Sequence, residues 1–408
     1  LKVGSNASDF IQDSPIQKDW NGLPMILGTS IAGVLRKDFN QNLVDDIFGK
    51  DEGSKIIFSN ALLLDENNQV CEKLLLKKSK FLQIFDTLPI REHTAINAQG
   101  VAKEHSKFDE EVLYKGTRFK LSMEMIDDNE ESFNEIINLL SSASFRLGGG
   151  STKGFGKCKI VSIETKKYDN DSYGEYSSSL NSSETMTSDS SNGGAEAPLP
   201  IEKYTQYNLE ITPDDFFMFG SGFGDADADM TPVYEQIVDY ENANLSDAMI
   251  LIPASSIKGA IAHRTTYHYN LENKLFIGNS EAKESIKEIF GEAKNSKKDI
   301  DGSKGKVIFS DCYKTQANTK VFDHVSIDRF TGGAIEGALF QEKTIADDRA
   351  YNIEILVEKD SSEEYQKYIK AFEMALKDIT TGLLSLGGAT TKGHGIFSGK
   401  VTKDGEQI

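Results

Sequence analysis

Two glycine-rich segments hold the residues best suited to chemistry, and their spacing is the same. They read Thr152-Lys153-Gly154-Phe155-Gly156 and Thr391-Lys392-Gly393-His394-Gly395. Glycine lets a backbone approach a ligand closely, a lysine neutralises a phosphate, and an aromatic ring stacks on a base. The candidate nucleic-acid contacts are therefore Lys153, Phe155, Lys392 and His394. The alternative is a pair of structural turns, but the lysine kept in both segments favours nucleic-acid contact.

A Gly/Ser turn leads into a predicted helix at two further places, residues 28–33 and 254–259. The N–H groups at a helix start lie at the positive end of the helix dipole and favour a phosphate. The candidate residues there are Ser30, Arg36, Ser256, Lys258 and Arg264. Neither turn has the GxxxxGK[ST] spacing of a nucleotide-binding loop. We expect Ser or Thr to cap each helix, and the alternative to phosphate binding is a plain capped turn that needs glycine for its backbone geometry.

The net charge of -19 argues against a nucleic-acid partner until its distribution is considered. Residues 168–200 hold six acids and no base, and residues 214–247 hold nine acids and no base. The remainder of the 408-residue chain is close to neutral, which leaves room for local basic grooves. The charge therefore does not exclude an RNA partner.

Other residue types exclude several classes of protein. No apolar run approaches the roughly 20 residues that span a bilayer, and residues 1–20 lack the features of a signal peptide. We therefore expect a cytoplasmic protein without a membrane partner. Cys71, Cys158 and Cys312 form no CxxC or Cys/His cluster and are expected to be reduced. The six histidines form no HExxH motif and no repeated pair, so no acid/base role is assigned to them.

The chain contains an internal tandem repeat. Four blocks recur in the same order, 226 to 251 residues apart, and the last block has identical spacing in both copies. The blocks are 28–36 with 254–264, 47–49 with 289–291, 56–60 with 306–311, and 147–156 with 386–395. Residues 168–203 separate the copies and are rich in Ser, Asn and acids, so we expect a mobile linker. The predicted domains are 1–167 and 204–408.

Each copy has the same predicted order of elements. A strand (near 1–4 or 207–211) leads to the Gly/Ser turn and a helix, then to a short strand (56–64 or 306–313). A middle segment with strand-like runs, a second helix and the Gly-rich turn with a final strand follow. Strand, helix, strand, strand, helix, strand is the ferredoxin-like order that RNA-recognition motifs share. The fold class is thus α+β, and a generic α+β domain is the alternative.

These blocks, together with Ile327-Asp328-Arg329-Phe330-Thr331-Gly332 leading to Ala338-Leu339-Phe340, resemble the RAMP superfamily. Within it they are similar to the backbone subunits of type III CRISPR effector complexes. The similarity covers about 1–162 and 205–402. The resemblance implies two ferredoxin-like RAMP domains in tandem that bind guide RNA (crRNA), complementary target RNA and other effector subunits.

The resemblance further implies that a thumb hairpin in each copy wedges between guide and target bases. The thumb candidates are 93–111 and 328–342, with His93, Arg329 and Phe330 as RNA contacts. The first copy departs from the family there, because it reads Arg91-Glu92-His93-Thr94-Ala95 where the second copy has the fuller 327–332 motif.

Type III backbone subunits also cut target RNA with an aspartate in the loop after the first strand, with Mg²⁺ or another divalent cation. The resemblance places Asp13 of Gln12-Asp13-Ser14-Pro15 at that position, as catalytic residue and metal ligand. Asp229 is the nearest equivalent in the second copy and Asp227 the reserve. The alternative for Asp13 is a solvated loop acid without a catalytic role. The segment 225–236 starts like a calcium loop but has Met230 and Gln236 where glycine and glutamate are required.

Two further interpretations stay open for the function. The first is a non-catalytic RNA-binding scaffold of the same kind of complex. The second is a stand-alone guide-processing ribonuclease, which the sequence disfavours because no histidine recurs in the loops where such enzymes place an acid/base pair.

Overall fold

The first copy is built from short elements. The structure, a computed structural model, describes residues 1–4, 15–97, 102–126, 128–181, 203–276, 281–292 and 302–408. The helices of the first copy are α1 (Gly28–Asp38), α2 (Val44–Phe48), α3 (Lys80–Gln83) and α4 (Glu130–Ser141). Its strands are β1 (Met25–Ile26), β2 (Ile56–Phe58), β3 (Ala61–Leu63), β4 (Ile90–Ile96), β5 (Ala102–Glu111), β6 (Phe119–Lys120), β7 (Met123–Met125) and β8 (Lys153–Gly154).

The second copy has longer elements. Its helices are α5 (Ala254–Glu272), α6 (Glu281–Phe290) and α7 (Glu363–Thr380). Its strands are β9 (Tyr204–Pro213), β10 (Phe216–Phe217), β11 (Tyr234–Glu235), β12 (Val238–Asp239), β13 (Asn244–Leu245), β14 (Met249–Ile252), β15 (Gly291–Glu292), β16 (Ser303–Lys304), β17 (Val307–Ser310), β18 (Cys312–Lys314), β19 (Asn318–Ile327), β20 (Ala334–Ala346), β21 (Tyr351–Glu358), β22 (Phe397–Lys403) and β23 (Glu406–Gln407).

The main sheet of the second copy has the ferredoxin-like order. Its central strands run β22-β9-β21-β17, and each neighbouring pair is antiparallel. Helix α5 connects β9 to β17 in sequence, and α7 connects β21 to β22. Leu209 of β9, Ile257 of α5 and Phe372 of α7 are each 0% exposed in one core between sheet and helices. The prediction of an α+β, ferredoxin-like fold is confirmed.

The first copy forms only part of the same sheet. Strands β2 and β7 pair as their counterparts do, but the strand predicted near residues 1–4 forms only isolated bridges, Lys2 with Gly148 and Gly4 with Ile16. The final strand, predicted after the Gly-rich turn, is not formed over residues 158–168. In the second copy that strand pairs with the ten-residue β9, and residues 1–4 offer no comparable partner.

The predicted strand at 56–64 is two strands, β2 and β3. They are interrupted at Asn60, whose side chain accepts a hydrogen bond from the N–H of Gly28 instead of continuing a ladder. The strand predicted at 306–313 divides in the same way into β17 and β18 around Asp311. The interruption thus has one cause in both copies, a side chain bound to the start of a helix.

A long hairpin leaves the body of each copy, β4–β5 in the first and β19–β20 in the second. Both predicted thumbs are therefore hairpins, although the second starts at Asn318 rather than Asp328, which lies in the turn at its tip. His93 is opposite Phe108, and His324 is opposite Phe340. This register makes His93 the counterpart of His324, so the comparison of residues 91–95 with residues 327–332 was wrong.

The division of the chain at 167/168 and 203/204 stays a prediction, but part of the predicted linker packs on the first copy. The backbone N–H of Leu180 and the hydroxyl of Ser179 donate to the Glu72 carboxylate, and the Asn181 side chain bonds the backbone of Val70. Residues 168–181 are thus not a free tether; residues 182–202 lie outside the described range. No helix in the described part of the chain is both long and apolar enough to cross a membrane.

Candidate nucleic-acid interface

The Gly-rich loop of the first copy docks on the second copy. Strand β8 of this loop pairs in parallel with β17, Lys153 opposite Phe309 and Gly154 opposite Ser310. Gly154 has a φ of +98°, and a Cβ atom there would overlap the carboxylate of Asp311 and the side chain of Ala254. Glycine is therefore required for this close approach. The loop therefore lies beside the first turn of α5, and candidate RNA-binding segments from the two copies are neighbours.

Three lysines gather where the copies meet, and we call Lys153, Lys258 and Lys304 the junction lysines. Lys258 is only 8% exposed, and its Nζ donates to Thr152 Oγ1 at 2.9 Å. Burial, and then the charges of Lys153 and Lys304, lower the pKa of Lys258 to about 7. Lys153 and Lys304 are exposed. Among the described residues, none of the three has a carboxylate within ion-pair distance, so the cluster is suited to an anion such as a phosphate.

The starts of the two Gly/Ser-turn helices are capped differently from the prediction. The cap residues are Leu27 and Pro253, which provide no side-chain bond, so the prediction of a Ser or Thr cap was wrong. Ala254 N–H donates to Asp311 Oδ1 at 2.8 Å, as Gly28 N–H does to Asn60. An acceptor from the neighbouring strand therefore occupies each helix start. Ser256 is exposed in the first turn of α5, and Ser30 is half-buried in α1.

The two arginines that follow these turns are held inside their own copies. Arg36 donates to the carbonyl of Gly49 and pairs with Asp45, both at 2.8 Å. Arg264 pairs with Asp378 and lies over the ring of Tyr267. These contacts hold both guanidinium groups against their own copies, with the Arg36 side chain 41% exposed and the Arg264 side chain 26% exposed. The structure thus favours a structural role for both arginines.

The aromatic residues of the Gly-rich loops do not face solvent. Phe155 is 2% exposed and lies under the guanidinium of Arg91, 4.8 Å from its ring centroid. His394 is 8% exposed and packs against Phe216 and Phe322. Their burial contradicts the prediction that these rings stack on a base, because local sequence did not reveal that each loop packs onto the hairpin beside it. Lys392 stays exposed, with its Nζ 4.0 Å from Glu342.

The hairpin bases contain a repeated histidine–glutamate pair that the sequence interpretation missed. His93 Nε2 lies 3.4 Å from Glu110 and its ring stacks on Phe108; His324 Nε2 lies 3.2 Å from Glu342 and its ring stacks on Phe340. Burial opposes the charge of Glu110, but hydrogen bonds from His93 and Lys2 outweigh it and lower its pKa to about 2.

A signal for this pair was present in the sequence. A histidine followed 15 or 16 residues later by Phe-x-Glu occurs once in each copy. The search for HExxH motifs and repeated pairs of histidines did not find this histidine–glutamate spacing. The predicted RNA contact His93 lies in this pair at the base of its hairpin, where its side chain is 14% exposed.

The tip of the second hairpin is fully open to solvent. The carboxylate of Asp328 accepts the N–H groups of Phe330 and Thr331, and these bonds lower the pKa of Asp328. The Phe330 side chain, which the turn holds outward, is 99% exposed, and Arg329 beside it is also exposed. An exposed aromatic ring on a rigid turn is suited to insertion between bases.

The acidic loop of the second copy is bound to the β20 strand of the hairpin. Lys343 Nζ lies 2.5 Å from Asp225 and 3.0 Å from Asp227, while Asp229 Oδ2 accepts the N–H of Gln341 at 2.8 Å. The described residues contain no group of three or more His, Cys, Asp or Glu side chains placed to hold a metal ion. One ammonium group thus pairs with two of the three aspartates and the third accepts a backbone N–H, so the three carboxylates are not placed to hold one divalent cation.

The predicted catalytic residue Asp13 lies outside the described residues. Its relation to the second copy follows from the flanking chain, where Gly4 bridges Ile16 as Gly220 bridges Pro232. Counting back three residues from Ile16 and from Pro232 gives Asp13 and Asp229. Asp229 is thus the positional counterpart of Asp13, whereas Asp227 is two residues away.

A comparison with protein-family models gives one match. The model described as RAMP superfamily matches residues 1–159 and 218–398, which is more than half of the chain and includes parts of both copies. The gap between the matched regions contains the acidic segment between the copies. A comparison with curated proteins finds no match.

Proposed function

Because this chain belongs to the RAMP superfamily, we propose that it is a guide-RNA-binding backbone subunit of a type III CRISPR ribonucleoprotein. Its partners are guide RNA, complementary target RNA and other effector subunits, and its compartment is the cytoplasm. Family membership supports a CRISPR-associated RNA-binding role. The type of complex and the individual contacts belong to the proposal.

The observation that carries RNA binding is the cluster of junction lysines. RNA phosphates are anions, and Lys153 and Lys258 are basic side chains without a carboxylate partner in the described chain; Lys258 Nζ donates to the neutral Thr152. The two lysines come from different copies, so one strand of RNA lying along this surface contacts both. Lys392 in the second Gly-rich loop extends the same kind of contact toward the second hairpin.

The hairpins supply the second part of the role. Phe330 and Arg329 extend from the tip of β19–β20, where they are free to enter a guide–target duplex and unstack it at one position. The histidine–glutamate pair at the base of each hairpin joins the two strands of that hairpin. In this proposal the hairpins divide the duplex, and the junction lysines hold the guide.

For chemistry, we propose target-RNA cleavage at Asp13 of the first copy, with Mg²⁺ or another divalent cation supplying a Lewis acid near the scissile phosphate. The second copy is proposed to be a non-catalytic scaffold. The contacts that support this difference are the ion pair of Lys343 with Asp225 and Asp227 and the hydrogen bond that Asp229 accepts from the N–H of Gln341, since they occupy the carboxylates that would hold a cation. In the first copy the residue in the place of Lys343 is Glu111.

Charge reversal tests the RNA-binding proposal. We expect Lys153→Glu and Lys392→Glu each to weaken guide-RNA binding about tenfold or more, and to similar extents for unrelated sequences, because phosphate contacts carry no sequence information. The measurement is a filter-binding titration with two guides of different sequence. Lys367→Glu, an exposed lysine on α7, is the matched control. Retained affinity in both test variants would exclude these loops from the RNA path.

A cleavage assay tests the proposed chemistry separately. The complex assembled with guide RNA is incubated with labelled target and Mg²⁺, and the fragments are compared for wild type, Asp13→Ala and Asp229→Ala. We expect Asp13→Ala to remove one set of fragments and Asp229→Ala to change none. Unchanged fragments with Asp13→Ala would refute its assignment, and a wild-type complex that leaves the target intact would establish the scaffold alternative.

A further inference from the structure

The contact between the copies contains a buried ion-pair network. Arg91, at the base of the first hairpin, donates to both carboxylate oxygens of Glu235 at 2.5 and 2.9 Å, to Asp311 at 2.8 Å and to the hydroxyl of Tyr313 at 3.0 Å. The side chains of Arg91, Glu235 and Asp311 are only 5–7% exposed. Arg91 therefore acts as a plug from the first copy, and the other three residues form a socket on the second copy.

Two carboxylates stabilise the positive charge of Arg91 in this network. Burial opposes the charge of Arg91, but Asp311 and Glu235 outweigh it and raise its pKa well above the ordinary value. The guanidinium also lies over the ring of Phe155, which the Gly-rich loop places beneath it. Removal of Arg91 leaves two buried carboxylates without their cation, which is the costly way to break such a network.

Comparison of the two copies shows which residue of the second hairpin corresponds to Arg91. On the second hairpin, the position opposite Glu342 corresponds to the position opposite Glu110, so the counterpart of Arg91 is Phe322. Phe322 packs against Phe216 and His394 and carries no charge. The plug is therefore absent from the second copy.

The socket is also missing from the first copy. Leu62 pairs with Met25 as Tyr313 pairs with Leu251, so Asn60 and Leu62 stand where the second copy has Asp311 and Tyr313. The positional counterpart of Glu235 is Asp19, whose carboxylate is occupied by the N–H groups of Asn21 and Leu23. No second Arg91-type contact can form with this arrangement of side chains.

We propose that the Arg91 plug and its socket specify the internal junction alone, so that the chain does not add a second copy of itself head to tail through this contact. The two copies resemble each other in fold, and an array of identical chains would otherwise be the default of a heterologous interface. Because the counterparts of Arg91 and of its three partners are different side chains, this contact forms only between the first and second copies of one chain. This inference concerns contacts between protein surfaces and does not depend on the proposed RNA binding.

The first test measures self-association of the unmodified full chain without RNA. Sedimentation velocity over a wide range of protein concentration should show one monomeric species. A ladder of oligomers that grows with protein concentration would overturn the proposal. This experiment requires no variant in order to support the proposal, so poor folding of a variant does not affect it.

The second test measures the junction itself. A recognition sequence for a site-specific protease is inserted within residues 182–202, the folded chain is cut, and the dissociation constant of the two halves is measured. We expect Arg91→Ala to weaken their association at least about a hundredfold. Glu235→Gln should weaken it in the same direction, and the double variant should lose less than the sum because both changes break one network.

Lys157→Ala is the matched control for this test. Lys157 forms an exposed ion pair with Glu354 across the same junction at 2.8 Å, and exposed pairs contribute little. Its removal should change the dissociation constant less than about fivefold. Equal effects of Arg91→Ala and Lys157→Ala would overturn the proposal, and circular dichroism of each intact variant shows that both copies are folded.

Discussion

Lys258 combines two properties that seldom occur together, burial and the absence of a neighbouring carboxylate among the described residues. Its only hydrogen bond there is to Thr152, a neutral group. Burial and the two other junction lysines lower its pKa to about 7, whereas an ordinary lysine is fully charged at that pH. A phosphate placed beside it favours the charged form. On the proposed RNA path, binding of RNA would therefore be coupled to protonation of this residue.

This coupling predicts a pH dependence of RNA affinity. Below about pH 7 Lys258 is already charged in the free protein, so affinity changes little there. Above this pH the free protein loses the proton, and binding must recover it, so affinity falls as the pH rises. Guide-RNA titrations between about pH 6 and pH 9 measure the effect.

Lys258→Arg provides the control, because arginine stays protonated throughout this range. The variant should bind RNA with a flatter pH profile than the wild type. If the two profiles coincide, Lys258 is not the titrating group.

At the scale of elements, the Gly-rich motifs close on themselves. Leu386 N–H donates to Gly395 O at 2.8 Å, and Leu147 N–H donates to Gly156 O at 2.9 Å. A Cβ atom at either glycine would overlap the carbonyl oxygen of that leucine, and both glycines have positive φ, +75° and +79°. The last glycine of the motif is thus required by the turn, while the lysine side chain is exposed in both motifs.

Gly395→Ala should therefore destabilise the second copy. Backbone strain at the positive φ together with the overlap at Leu386 is expected to cost about 1–3 kcal/mol. Gly259→Ala is the control, because this helical glycine has open space at its Cβ, and alanine there should stabilise by about 0.5–1 kcal/mol. Urea denaturation of both variants measures the free energy of unfolding, and a shift of equal sign in the two would contradict the assignment.

The element order was predictable from the sequence because it depends on local patterns that occur twice. The α+β order and the second helix follow from periodicity and from the repeated blocks, whereas the two hairpins were implied by the resemblance to the RAMP superfamily. The equivalence of His93 and His324 in the two copies was not predicted, since hairpin register is set by cross-strand partners rather than by neighbouring residues. The burial of Phe155 was also missed, because it depends on Arg91, 64 residues earlier in the chain.

At the scale of the whole molecule, the acidic segment 214–247 takes part in joining the copies. Val238 belongs to a buried cluster with Phe81 and Leu113 of the first copy, and Tyr240 packs against Phe81 and donates to the carbonyl of Leu64. The strong negative charge of this segment therefore lies in an insertion that docks on the first copy. Composition alone showed where the acids are, and only the fold shows what the segment contacts.

The junction was the least predictable feature, because its residues differ between the copies. The repeated blocks reveal the positions that the two copies share. Arg91, Glu235 and Asp311 are instead positions at which the two copies carry different side chains. Lys153 and Lys258 were each predicted as RNA contacts of their own copies. The structure places them in one cluster, so the proposed RNA path runs across the junction rather than separately through two modules.

The salt dependence of guide-RNA affinity tests this path most directly. Each lost phosphate contact lowers the slope of log affinity against log salt by about 0.7 for single-stranded RNA. Removing two junction lysines in Lys153→Ala/Lys258→Ala should thus lower the slope by about 1.4, with Lys367→Ala as the control. An unchanged slope in the double variant would contradict the account, because the RNA would then not cross the junction of the two copies.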